Sequence, residues 1–206
     1  MKDLFKRYPM LKPLEKDILS ALEIMLNCYN NGGKIMLIGN GGSASDCAHM
    51  TGELLKDFYI KRPIAEDFYY KLSSISESAR QTANKLQQGI ACIDLTAFNS
   101  TLTAIGNDTG FEFAFAQTFY SLYKPNDILI AFTTSGTSKN IIKTLEVAKA
   151  LGANTITFTG ENGLKDESLS TVTLKVPEHE TFKAQELHLP IYHYLCKRLE
   201  EVLFKV

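Results

Sequence analysis

Lys34-Ile35-Met36-Leu37-Ile38, followed by Gly39-Asn40-Gly41-Gly42-Ser43-Ala44-Ser45-Asp46 and then Cys47-Ala48-His49-Met50-Thr51-Gly52-Glu53-Leu54-Leu55, decides the fold. The first segment is a short apolar run and reads as a buried strand. The last reads as a helix, so the glycines and serines form a strand-to-helix turn. Such a turn suits an anion. Glycine lets backbone N–H groups come close, serine hydroxyls add donors, and the helix start carries the positive end of the peptide dipole. His49 and Glu53 stand one turn apart and leave the same helix face. One segment thus combines a phosphate cradle with a pair able to move protons or bind a metal.

Outward from this stretch, helices and strands alternate. Apolar residues at helical spacing from Leu14 to Tyr29 predict an N-terminal helix over about 13–31, stopped by Asn31-Gly32-Gly33. Further strands are expected at Ile90–Leu95, Ile128–Phe132, Asn154–Phe158 and Thr171–Val176. Helices are expected at Phe111–Tyr123, Lys139–Leu151 and Thr181–Phe204, with a short one within Thr96–Ile105 and a loop at Gly106–Gly110. Pro190 should kink the last helix or interrupt its hydrogen bonding. Residues 59–88 are more polar than their surroundings and read as an insertion over one edge, with a surface helix within Lys71–Gln88. The pattern predicts one α/β domain, a parallel sheet covered by helices on both faces. Ligands of such sheets bind beyond the carboxyl ends of the strands.

Composition narrows the function. The 206 residues are 45% hydrophobic and 22% charged, with a net charge of −1, ordinary values for a globular protein. No basic stripe points to nucleic acid, and no apolar run approaches the ~20 residues of a membrane span. The opening Met1-Lys2-Asp3-Leu4-Phe5-Lys6 lacks the apolar core of a signal peptide. Cys28, Cys47, Cys92 and Cys196 are scattered without a CxxC pair. They read as buried free thiols, and the expected compartment is the cytoplasm.

The second strand-to-helix turn, Thr133-Thr134-Ser135-Gly136-Thr137-Ser138, repeats the logic of the first. Alone it reads equally well as a polar turn with Ser138 as helix N-cap. Paired with the first loop it predicts a monophosphate held between the two. Gly39 to Ala44 also fits a loose Gly-x-Gly-x-x-Ala pattern. A dinucleotide site wants an acidic residue at the end of the second strand, and on this reading that strand runs to Thr96, so sugar phosphate is preferred. Most His/Glu pairs on helices are weak surface interactions. The place of His49 and Glu53 behind a phosphate loop favours function: a general base next to a carbonyl, or ligands of a divalent metal. The last helix adds Gln185, Glu186, His188 and His193. Gln185 and His193 are roughly 12 Å apart along an ideal helix.

Taken together, Ile38–Asp46, His49-x-x-x-Glu53, Leu102–Asp108, Thr134–Asn140 and Gln185-Glu186-x-His188 resemble the sedoheptulose 7-phosphate isomerases (phosphoheptose isomerases) of the sugar isomerase (SIS) fold. The resemblance implies a three-layer, flavodoxin-like α/β sandwich with five parallel strands. It further implies a homotetramer with sites at subunit interfaces, often with zinc, and an aldose–ketose isomerisation of a heptose 7-phosphate. Carried over by position, Asn40, Gly41, Gly42, Ser43, Glu53 and Gln185 contact substrate, and Thr133, Thr134, Ser135 and Ser138 hold phosphate. Glu53 and His193 are catalytic, and His49, Glu53, Gln185 and His193 form the metal set. Phe98-Asn99 replaces a loop aspartate of the family, with Asn99 the substrate contact there. A phosphosugar sensor needs only the phosphate loops, so His49, Glu53, Gln185 and His193 together favour an enzyme. An isomerase of another sugar phosphate is the remaining alternative.

Overall fold

The computed structural model describes residues 1–204. Strands β1 (Ile35–Gly39), β2 (Cys92–Asp94), β3 (Ile128–Phe132), β4 (Asn154–Thr159) and β5 (Val172–Lys175) form one sheet in the order β2-β1-β3-β4-β5. Every pairing is parallel, as expected. The strand order reverses between β1 and β3, which places the crevice of a doubly wound sheet at their carboxyl ends.

Helices α1 (Lys2–Arg7), α2 (Glu15–Asn30), α3 (Gly42–Leu55), α4 (Glu66–Ser73), α5 (Glu77–Ala83), α6 (Asn99–Asp108), α7 (Ala114–Leu122), α8 (Lys139–Ala150) and α9 (Thr181–Leu203) complete the chain. Alternation along the strands sorts them into two layers. Ile35 and Leu37 of β1, with Ile130 and Phe132 of β3, pack into one core with Met25, Met50 and Leu195. Met36 and Ile38, with Leu129 and Ala131, pack into a second with Leu102, Phe119 and Leu145. At the amino ends of the strands, Asp127 is buried and accepts hydrogen bonds from the N–H groups of Lys34 (2.9 Å) and Lys124 (2.7 Å).

Several boundaries differ from expectation. Helix α3 begins at Gly42, with Gly41 as N-cap, so Ser43 and Ser45 already lie in its first turns. The N-terminal helix is preceded by a 3-10 turn, Pro9–Leu14, because Pro13 cannot supply an N–H to an α-helix interior. Helix α6 runs through Gly106 to Asp108, where a loop was expected. Residues 71–88 hold no single helix. Helix α4 ends at Ser73, and Ser76 caps α5 by accepting from the Ala79 N–H (3.1 Å). Helix α9 runs through Pro190 as expected, with no N–H there to give to its ladder. Strand β2 ends at Asp94, so an acidic residue does occupy the position a dinucleotide site would use. Its carboxylate is already committed, accepting from the Thr96 N–H (2.8 Å) and hydroxyl (2.7 Å).

The segment after α3 is fastened by a buried ion pair. The Arg62 guanidinium lies 2.7 Å from Glu200 of α9, and both side chains are fully buried. Arg62 also donates to the carbonyls of Leu54 (2.9 Å) and Glu53 (3.2 Å), the open end of α3. Glu200 accepts from the N–H groups of Phe58 (2.7 Å), Tyr59 (2.7 Å) and Ile60 (3.1 Å). Burial acts to raise the Glu200 pKa, but these N–H donors and the guanidinium outweigh it and hold the carboxyl below its ordinary value. Arg62→Met should therefore cost about 3–5 kcal/mol in urea unfolding, because it strands a buried carboxylate. Lys12→Met, which breaks the exposed pair with Glu15, should cost less than ~1 kcal/mol.

Candidate active site

The carboxyl ends of β1 and β3 carry the two hydroxyl-rich loops, and a reciprocal amide pair joins them. Asn40 Nδ2 donates to Asn140 Oδ1 (2.9 Å) and Asn140 Nδ2 donates to Asn40 Oδ1 (2.8 Å). Asn140 is buried in the first turn of α8 and also accepts from the Ile141 N–H (3.0 Å). In the β3 loop, Gly136 has φ +65° and a Cβ there would lie 1.9 Å from the Gly163 carbonyl, so no other residue fits. Ser135 is exposed and accepts from the Thr137 hydroxyl (3.1 Å). Ser138 sits at the N-cap of α8 but its side chain makes no capping bond. The hydroxyl thus stays available to a ligand. Thr134 is half-buried, whereas the Thr133 hydroxyl is enclosed and unpartnered. The surface donors of the loop are therefore Thr134, Ser135 and Ser138, with the Thr137 hydroxyl already donating to Ser135.

Helix α9 brings its polar residues back against α3. The Gln185 carboxamide lies on the first turn of α3, with Nε2 3.5 Å from Ser43 Oγ. A Cβ on Gly42 would come within 2.7 Å of that carboxamide, so any larger residue there would make the Gln185 side chain swing aside. Farther along, His49 Nε2 lies 3.3 Å from Glu53 Oε1 and 3.4 Å from His193 Nε2. The Phe58 ring leans on His193, with centroids 5.4 Å apart. Burial, with His49 beside it, holds the His193 imidazole below its ordinary pKa, and Glu53 acts in the opposite sense. On the far side of His49, Nδ1 lies 3.0 Å from the Tyr192 hydroxyl, which also donates to Asp46 Oδ1 (3.3 Å). Burial pushes the Asp46 carboxyl up to about 6. Neither Tyr192 nor Asp46 was singled out as a site residue from the sequence.

His188 is not part of this group. It is fully buried between Phe132 and Phe158, and its Nε2 lies 3.2 Å from the Thr159 carbonyl. Burial drives its pKa down to about 4, so it is a neutral core histidine. Asn99 is exposed at the start of α6, while Phe98 packs against the second core.

An open cavity of about 330 Å³ lies beside the amide pair, lined by Asn40, Asn140, Phe111, Glu112 and Lys139. It can accept a small polar ligand against the two loops. A larger cavity, about 700 Å³, lies within the segment after α3, between Lys61, Tyr69 and Leu86.

His49, Glu53 and His193 offer the donor types that zinc takes. Zinc–ligand bonds of about 2.0–2.1 Å set tetrahedral neighbours roughly 3.3–3.4 Å apart, which matches both spacings around His49 Nε2. Among the described residues, no group of three or more His, Cys, Asp or Glu side chains is arranged to hold a metal ion.

The model of the SIS domain matches residues 9–93 and 86–160. Residues 59–88 fall inside the first span. A phosphoheptose isomerase from Aneurinibacillus thermoaerophilus is 36% identical over 196 residues, 95% of this chain and 84% of its own length. The chain belongs to the phosphoheptose isomerase family of SIS domains. Among solved structures, the phosphoheptose isomerase of Neisseria gonorrhoeae aligns with a TM-score of 0.74 at 30% identity, covering 96% of this chain and 94% of that one. That of Francisella tularensis aligns with a TM-score of 0.77 at 29% identity, covering 95% and 91%. The five-stranded parallel sheet expected for the family is the one observed.

Ser138→Ala tests the two roles of that residue in this phosphoheptose isomerase relative. With no capping bond to lose, unfolding free energy should stay within ~0.5 kcal/mol of the native value, while affinity for inorganic phosphate falls in calorimetric titration. His188 gives a pH test. Its folded pKa lies below its unfolded one, so its contribution is intact above pH ~6.5 and is lost as pH falls toward 4, at about 1.4 kcal/mol per unit. The difference between the native and His188→Phe unfolding curves should show this slope.

Proposed function

We propose that this chain interconverts sedoheptulose 7-phosphate and D-glycero-D-manno-heptose 7-phosphate, a step toward nucleotide-activated heptose. The observation that carries the reading is the convergence of α3 and α9. The first turn of α3 is the phosphate loop, and its next turns carry Glu53 beside His193. Substrate phosphate lies between the loop hydroxyls of Ser43 and of Thr134, Ser135 and Ser138, with Asn40, Gly41, Gly42, Asn99 and Gln185 around the sugar. Glu53 removes a proton from C1 of the ketose. The C–H electrons form the C1–C2 double bond of an enediol as the carbonyl oxygen takes a proton from the His193 side. Glu53 then delivers its proton to C2, and the C1 hydroxyl returns its own to the His193 side to leave the aldehyde.

Zinc would be held by His49, Glu53 and His193, with Gln185 standing apart from them against Ser43, and when bound it would polarise the carbonyl and the developing enediolate. The working form is a cytoplasmic homotetramer, by analogy with the family. No described helix is long and apolar enough to cross a membrane.

The test is an NMR time course of the purified protein with sedoheptulose 7-phosphate. Aldose signals should appear with the native chain and vanish with Glu53→Gln, which should still bind phosphate and keep its unfolding midpoint. Full activity in Glu53→Gln would sink the assignment. A panel of ketose phosphates of different chain length reads the sugar preference that Phe98 sets.

A further inference from the structure

The face of His49 turned away from Glu53 is occupied by a two-residue chain. Its Nδ1 meets the Tyr192 hydroxyl at 3.0 Å, and that hydroxyl meets Asp46 Oδ1 at 3.3 Å. Tyr192 is fully buried, and its ring packs edge-on against both His49 and Phe132. Among the described residues, Asp46 Oδ2 is buried with no partner, and the Tyr192 hydroxyl is the one donor to Oδ1.

A phenol has a single proton to donate. If it went to His49 Nδ1, the partly buried Asp46 carboxylate would be left with no donor at all, a costly arrangement. If it goes to Asp46, the Tyr192 oxygen is free to accept, and His49 must supply the proton from Nδ1. The second arrangement satisfies all three of these groups, while the Glu53 carboxylate, 3.3 Å from Nε2, pulls the proton the other way.

We infer that Asp46 and Tyr192 are positioning residues that fix the His49 proton on Nδ1, so that Nε2 is the atom presented to Glu53 and His193. The consequence rests on the isomerase reading. A neutral His49 so held offers an Nε2 lone pair on the same side as the Glu53 carboxylate and the His193 ring. That is the arrangement needed to accept a proton or an electrophile there. Free imidazole would leave the tautomer and the ring angle unset, and partners behind a histidine commonly serve to set them.

The inference is tested on the full chain, treated with chelator and checked for an unchanged unfolding midpoint, by nitrogen-15 NMR of the histidine rings above the imidazole titration range. Native His49 should carry its proton on Nδ1. Asp46→Ala frees the Tyr192 hydroxyl to donate to His49 and should move the proton to Nε2. Tyr192→Phe, which keeps the buried ring, should leave a mixture of tautomers. In the isomerase assay Tyr192→Phe should lower kcat by roughly ten- to a hundred-fold with KM little changed. A native His49 protonated on Nε2, or one whose tautomer is the same in Asp46→Ala as in the native chain, overturns the inference. If the native chain does not isomerise the heptose phosphate, the functional reading fails while the tautomer measurement still decides this point.

Discussion

The Arg62–Glu200 pair is the constraint on which the rest of the site depends. It lies at the far end of α3 from the phosphate loop and ties three pieces of chain together. Arg62 takes the last carbonyls of α3, Glu200 fixes α9, and the N–H groups of residues 58–60 close on the same carboxylate. A buried ion pair gains little over apolar packing in free energy. What it supplies here is geometry. With α3 and α9 joined at Glu200, the residues two turns earlier on α9, including His193, face Glu53 and His49. Phe58, placed by its own N–H bond to Glu200, then backs the His193 ring.

A second tie acts at the opposite end of α3. The Asn40–Asn140 amide pair bridges the loops after β1 and β3, where the strand order reverses. Each amide gives one donor and one acceptor to the other, so neither loop shifts without leaving half-buried polar groups unpaired. The two loops therefore behave as one rim. A phosphate bound to both meets a preset spacing, and little ordering of the loops is needed on binding.

The sequence made the sheet legible because strand signals are local. Ile35–Gly39 and Ile128–Phe132 are apolar runs next to turns, and each alternates between two cores in the way a period of two requires. The phosphate loops were legible for the same reason, since glycine, serine and threonine at a strand end have a direct conformational meaning. Local signals failed where neighbouring turns compete. Gly106 reads as a helix stop, yet α6 passes through it, with the Phe111 ring close over the position. The run from Lys71 to Gln88 is polar enough to read as one surface helix, but Ser76 caps a new one and splits it in two. The strand thought to run to Thr96 ends at Asp94, whose carboxylate turns the chain into a 3-10 helix.

What could not be read from spacing is every interaction that spans the chain. Asn40 meets Asn140 across 100 residues, Arg62 meets Glu200 across 138, and His49 meets Tyr192 across 143. No periodicity links such pairs, because each depends on how two whole layers pack. Tyr192 shows the difficulty well. On α9 it is one more apolar residue of a buried face, between Ile191 and His193, and its spacing marks it as core. It is core, and its ring behaves so. Its hydroxyl alone reaches the polar side of α3, where Asp46 and His49 stand one turn apart. Asp46 in turn reads as a polar residue in the first turns of a helix, a place carboxylates often occupy for the dipole alone. Only when the two helices meet does a buried phenol stand between a carboxylate short of donors and a histidine with two faces. The hydrogen-bond requirements of the first then determine which face of the second is left to act.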